Sequence, residues 1–195
     1  MLAYFAVALG ILWVRSAWIA LLAFHVAIIS SLFFAKPDIP LSILFRTRNT
    51  KWVALSILLS GSSGLSLYFL WSYFGIADDL PAQLESIGLT ASTWPAFIAY
   101  FTLVNPFVEE YFWRGYLGNI TKGPYIYDAI YAGYHVFLLL GKMHFASILF
   151  AFATLTLVSW FWRQLMYRDG GLLAPALGHL SADLSILLAI RWMCI

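Results

Sequence analysis

Glu109, Glu110 and Arg114 put three ionisable groups into an apolar stretch long enough to cross a bilayer, led in by Trp94-Pro95-Ala96-Phe97-Ile98-Ala99-Tyr100-Phe101. Each charge at that depth costs roughly 2.5 to 3.5 kcal/mol on insertion scales, so the three need mutual neutralisation or a polar cavity. On a helix Glu110 and Arg114, four residues apart, share a face, whereas Glu109 points about 100° away from Glu110. Glu109 is left as the freer carboxylate. Two histidines in later apolar stretches, His135 and His179, add groups that can donate or accept a proton near neutral pH. A buried carboxylate with histidines can activate a water molecule, relay protons or ligate a metal.

The elements that must position these groups follow from composition. The chain has 195 residues, is 63% hydrophobic and only 10% charged, and has a mean hydropathy of +0.85. A soluble domain carries about 25% charged residues. The fold class expected is all-α, a polytopic transmembrane bundle of about six or seven spans in one integral-membrane domain covering residues 1–195. The spans read as 17–35, 52–75, 95–117, 125–141, 144–162 and 171–193, each bounded by charge or Gly/Pro. Residues 1–14 are apolar but short: an interfacial segment, a partial crossing, or an extension of the first helix across Arg15. No Lys or Arg precedes Arg15, so the basic start of a secretory signal is missing and the N-terminus reads as retained. The single cysteine, Cys194, allows no intrachain disulfide.

Basic residues sort by loop. Lys36, Arg46, Arg48 and Lys51 follow the first span, Lys122 the third, and Arg163 and Arg168 the fifth, which makes those loops cytoplasmic. The other side carries Arg15, Lys142 and Arg191 with the acidic residues Asp78, Asp79 and Glu85, and Asp79–Glu85 reads as a short helix start. Charge is scattered and the net value is only +2, so nucleic acid is not an expected partner. In this topology Glu109, His135 and His179, from three spans, all lie roughly 12 to 15 Å below the cytoplasmic surface. They should line one polar cavity reached from that side or from lipid. Pro106 should kink its helix and free a backbone carbonyl near Glu109. His25 and His144 read as packing or interfacial residues, and the many aromatics suit lipid-facing belts without any cofactor.

The motifs resemble the CPBP family, which includes Ras-converting-enzyme-type CAAX proteases, bacteriocin-processing proteins and other glutamic intramembrane proteases. EExxxR is present as Glu109, Glu110 and Arg114; FxxxH is similar to Tyr131-Ala132-Gly133-Tyr134-His135, with Tyr replacing Phe; and His179-Leu180-Ser181-Ala182-Asp183 resembles the third motif, a His followed four residues later by Asn or, less often, Asp. The lead-in Gly170–Gly178 also resembles the family, and the likeness covers about residues 80–190. It implies a glutamate-activated water that hydrolyses a peptide bond of a membrane-associated protein or peptide substrate. It assigns Glu109 as base, His135 as water-holding partner and His179 as oxyanion donor, with Arg114 neutralising Glu110. Asp183 departs from the usual Asn. An ionised Asp only accepts hydrogen bonds, so it would orient His179 instead. The expected setting is a multi-pass protein among the lipids of a prokaryotic cell membrane.

Other classes stay open. Glu109, His135 and His179 are residue types that bind zinc, although the HExxH spacing is absent. Glu110 and Arg114 read equally well as a pair that only eases insertion. A non-catalytic binding or immunity protein, or a proton-coupled carrier, would also bury carboxylates and histidines.

Overall fold

A computed structural model describes residues 2–194, and every regular element among them is helical. α1 (Leu2–Ala8) runs into a π-helical turn, Leu9–Trp13, and the chain leaves helix before α2 (Ala17–Ala35), with Arg15 at φ 52°. This break rules out an extension of the first helix across Arg15. Ser16 caps α2, its hydroxyl accepting from the Ile19 N–H at 3.3 Å. A 3₁₀ turn, Leu41–Phe45, leads to α3 (Thr50–Phe69), capped by Asn49. The short α4 (Leu80–Ser86) forms where the acidic loop foretold it, with Pro81 in the first turn. α5 (Trp94–Glu110) passes directly into a π-helical stretch, Tyr111–Tyr116, and α6 (Ile126–Leu139), α7 (Phe145–Asp169) and α8 (Leu173–Cys194) complete the chain.

Among the described residues, α2, α3, α7 and α8 are individually long and apolar enough to cross a membrane. α6 has only 14 residues, about 21 Å of helix against a hydrocarbon core of about 30 Å. α7 runs past the expected end at 162 because Arg163 does not begin a loop. It is buried within α7, bonded to Asp128, and the helix stops only at Gly170, whose φ of 70° makes a left-handed cap. The placement of Arg163 in a cytoplasmic loop is thereby corrected.

The loops gather at two ends. At one end the turn after α7 bonds the segment after α2: Leu172 N–H donates to the Ile43 carbonyl at 2.8 Å, and the Asp169 carboxylate accepts from the Thr47 hydroxyl at 2.6 Å and from the Arg48 and Asn49 amides at 2.9 Å each. The loop after α5 joins them through Arg163. At the other end Ala77 N–H donates to the Lys142 carbonyl and Ala17 N–H to the Ile87 carbonyl, both at 2.9 Å. The basic loops thus share one end and the acidic loop lies at the opposite one.

α3 and α8 pack along small residues. Ser185 Oγ accepts from the Gly64 N–H at 3.1 Å, and Ser181 Oγ donates to the Ile57 carbonyl at 3.1 Å. Gly64 leaves no room for a side chain beside the α8 backbone. Such close approach replaces the hydrophobic effect as the glue between helices in lipid. It fixes α8, and with it His179.

Candidate active site

α5 brings two carboxylates to different surroundings. Both oxygens of the buried Glu109 accept from the Tyr134 hydroxyl of α6, at 2.6 and 2.7 Å. Glu110 faces away, as the helical rotation requires, and its Oε1 accepts from Arg114 Nη1 and from His179 Nδ1, each at 2.9 Å. The Arg114 guanidinium carbon lies 4.0 Å from the Tyr131 ring centroid and 5.1 Å from that of Trp162. Aromatic faces thus take part of the charge that Glu110 does not. Immediately after Glu110 the winding widens: the Tyr111 N–H is shared between the Phe107 and Val108 carbonyls, and the π segment begins. Pro106, inside α5, removes one donor a turn earlier. Irregular winding of this kind recurs at functional sites.

His135 Nδ1 sits 3.0 Å from the Tyr131 carbonyl, which can only accept, so Nδ1 carries a proton. In the neutral ring Nε2 then presents a lone pair. The ring stacks on Tyr134 with centroids 4.0 Å apart, and so lies beside the group that holds Glu109. His179 donates from Nδ1 to Glu110, leaving Nε2, which is 3.5 Å from Asp183 Oδ1. Its ring stacks on Trp162 at 5.0 Å.

Glu109, Tyr134, His135 and Asn105 line one cavity of about 310 Å³. The rest of its wall is almost wholly apolar, drawn mainly from α2, α4, α5, α6 and α8 with single residues of α1 and α3, and it runs toward the end that carries the acidic loop, past Leu80, Leu84 and Trp94 to Lys142. That direction is opposite to the cytoplasmic approach anticipated from the sequence, because α4 and its flanking loops fold over the other end of α5. His179 and Asp183 are not part of the wall; they stand behind it, joined to Glu110. No three His, Cys, Asp or Glu side chains among the described residues converge as a set able to hold a metal ion.

Two residues of this cluster escaped the reading of the sequence. Tyr134 holds Glu109, and its position next to His135 was the available signal. Asn105 donates from Nδ2 to Asp183 Oδ2 at 3.3 Å. It is a buried polar side chain in the same apolar helix, four residues before Glu109, and the rule that singled out Glu109 applies to it equally. His25, read as a packing residue, is buried and bonded to Tyr100 and Asn105. His144 conforms to that reading: it precedes α7 and bonds through its backbone to Gly75.

The arrangement is that of a membrane-embedded helical protein with a carboxylate and a histidine on a buried cavity and a second carboxylate–histidine pair behind them. Residues 91–185 match the family model described as type II CAAX prenyl endopeptidase Rce1-like, a span that holds all three motifs. The match bears out the resemblance to the CPBP family of CAAX proteases that those motifs carry. The matched family implies a protease, a hydrolase with a membrane setting and a protein or peptide substrate. No curated protein and no solved structure matches the chain significantly.

Proposed function

We propose that the protein is a glutamic intramembrane endopeptidase of a prokaryotic cell membrane that cleaves a membrane-associated protein with a water activated by Glu109. The observation that carries this reading is the presence of the Glu109 carboxylate and the His135 ring on one cavity wall. The Tyr134 hydroxyl shares its one proton between the two Glu109 oxygens, which keep lone pairs for a water proton. His135 Nε2 accepts the water's second hydrogen. The water oxygen attacks the scissile carbonyl carbon while its proton passes to Glu109. His179, both ring nitrogens facing carboxylate oxygens that can only accept, stands behind the wall as an imidazolium whose charge, little screened there, favours the oxyanion. Collapse breaks the C–N bond and Glu109 returns the proton to the leaving amine. Asp183 and Glu110 hold the two sides of His179. The apolar wall suits the apolar part of a lipidated or membrane-embedded substrate chain.

The test is cleavage of a panel of lipidated and membrane-anchored peptides by the purified protein in nanodiscs, read by mass spectrometry with and without strong chelators. Cleavage that survives chelation supports the reading. Loss on chelation with recovery on added zinc would replace it with metal-dependent hydrolysis. Proton flux into vesicles without any cleavage would replace it with a carrier.

A further inference from the structure

His25 belongs to α2, outside residues 91–185, and carries no motif. It is nevertheless buried to 3% exposure and bonded at both ring nitrogens: Nδ1 lies 3.1 Å from the Tyr100 hydroxyl and Nε2 lies 3.1 Å from Asn105 Oδ1. The chemistry of the partners fixes the direction of every bond, starting from Asp183. A carboxylate oxygen accepts, so the Asn105 amide turns its NH₂ toward Asp183 Oδ2. Its carbonyl oxygen then faces His25, and an oxygen accepts, so the His25 proton is on Nε2. Nδ1 keeps the lone pair and takes the Tyr100 hydroxyl. One polarity runs unbroken from α5 through α2, back to α5 and on to α8.

We propose that His25 is a positioning residue of the active site: in its Nε2–H form it locks the Asn105 amide with its donors toward Asp183, and so sets the carboxylate that faces His179 Nε2. Buried polar side chains are retained only with partners, and an apolar residue at position 25 would leave the Asn105 oxygen without one. Held from one side only, the Asn105 amide would tilt to find a donor for its buried oxygen and loosen its 3.3 Å bond to Asp183. Asp183 would then drift from the position it holds 3.5 Å from His179. An error of that size at a reacting group lowers turnover without changing how substrate fills the cavity.

This inference rests on the protease reading for its kinetic test, and a second measurement keeps the two separable. A Gln at position 25 places an amide N–H where His25 Nε2 stands, whereas an Asn reaches only the Nδ1 position. His25→Gln should keep kcat within about threefold of the native value, while His25→Asn and His25→Phe should lose about tenfold to a hundredfold in kcat with KM moved less than about twofold. Where His25→Phe fails to fold, the Gln and Asn variants decide alone. Native turnover in His25→Asn, equal damage in Gln and Asn, or a loss confined to KM would each overturn the proposal. In ¹⁵N-histidine NMR of the protein in nanodiscs, the signal removed by His25→Gln should report the Nε2–H tautomer, and Asn105→Leu should shift both that signal and the His179 ring. An Nδ1–H or doubly protonated ring, or an unmoved His179, would overturn it. If the native protein cleaves nothing, the protease reading fails and the NMR result still decides the relay.

Discussion

Two buried arginines pair with two buried carboxylates in this bundle, and they are built differently. Arg163 is saturated: Nε and Nη2 reach Asp128, and the two terminal nitrogens also donate to the carbonyls of Asn119, Thr121 and Gly123, at 2.6 to 2.7 Å. Asp128 is saturated as well, taking the Ser159 hydroxyl and the Tyr125 amide. This cluster ties the loop after α5 to α6 and α7 and lines no part of the cavity. Arg114 makes a single bond, to Glu110, while its Nε and Nη2 and the carboxylate's Oε2 have no hydrogen-bond partner among the described residues. Charge burial alone therefore does not mark chemistry. A latch spends every donor and acceptor on the fold, whereas the Glu110–Arg114 pair, one residue along from the cavity-lining Glu109, leaves some unspent.

The largest effect should come from the group the comparison leaves most exposed to the cavity. Glu109→Gln keeps the shape and an acceptor for Tyr134 but removes the base. Turnover should fall by about 10²- to 10⁴-fold, with folded yield and thermal unfolding in detergent nearly unchanged. A variant that cleaves normally would dissolve the distinction between the two clusters.

At the latch the pattern should invert. Arg163→Met leaves Asp128 buried and unpaired and also strips three carbonyls of their donors. Unfolding measured in detergent should show a loss of about 3 to 5 kcal/mol, while the fraction that stays folded should cleave at the native rate.

Arg114→Ala should fall between them. Glu110 would retain one partner in His179, so the stability loss should be about 1 to 3 kcal/mol, smaller than at Arg163. Turnover should drop too, since His179 would follow Glu110 as it relaxes. Equal losses at the two arginines would show that His179 does not hold Glu110.

Most helices were legible because lipid imposes a simple rule, a long apolar run ended by charge or glycine, and α2 ends where that rule put it. The rule failed at α7, where Arg163 was read as a boundary. A charge ends a span only if it goes to water, and Arg163 goes to Asp128, thirty-five residues away in sequence. The candidate site was legible where helical spacing alone decides, as for Glu110 with Arg114. It was illegible where bonds cross between helices. Nothing local tells that Tyr134 reaches Glu109, that His179 reaches Glu110 as well as Asp183, or that His25 reaches Asn105. The short α6 and the fold of α4 over the far end, which set the direction of the cavity, depend likewise on contacts between distant segments.

The smallest effect expected is at Asp183. Its carboxylate accepts from Asn105 and stands 3.5 Å from His179 Nε2, while its side chain is 14% exposed. An amide of the same shape can still accept from Asn105 through its oxygen, while its NH₂ takes the place of the carboxylate oxygen beside His179 Nε2, which in a neutral ring protonated at Nδ1 can accept. The charge beside His179 is lost, but Glu110 holds the other nitrogen of that ring. Asp183→Asn should therefore keep turnover within about threefold, whereas Asp183→Leu, which leaves the Asn105 amide unpaired, should lose about tenfold or more. If the Asn variant falls as far as the Leu variant, the negative charge itself is needed, and Asp183 acts on His179 as an ion partner in the way Glu110 does.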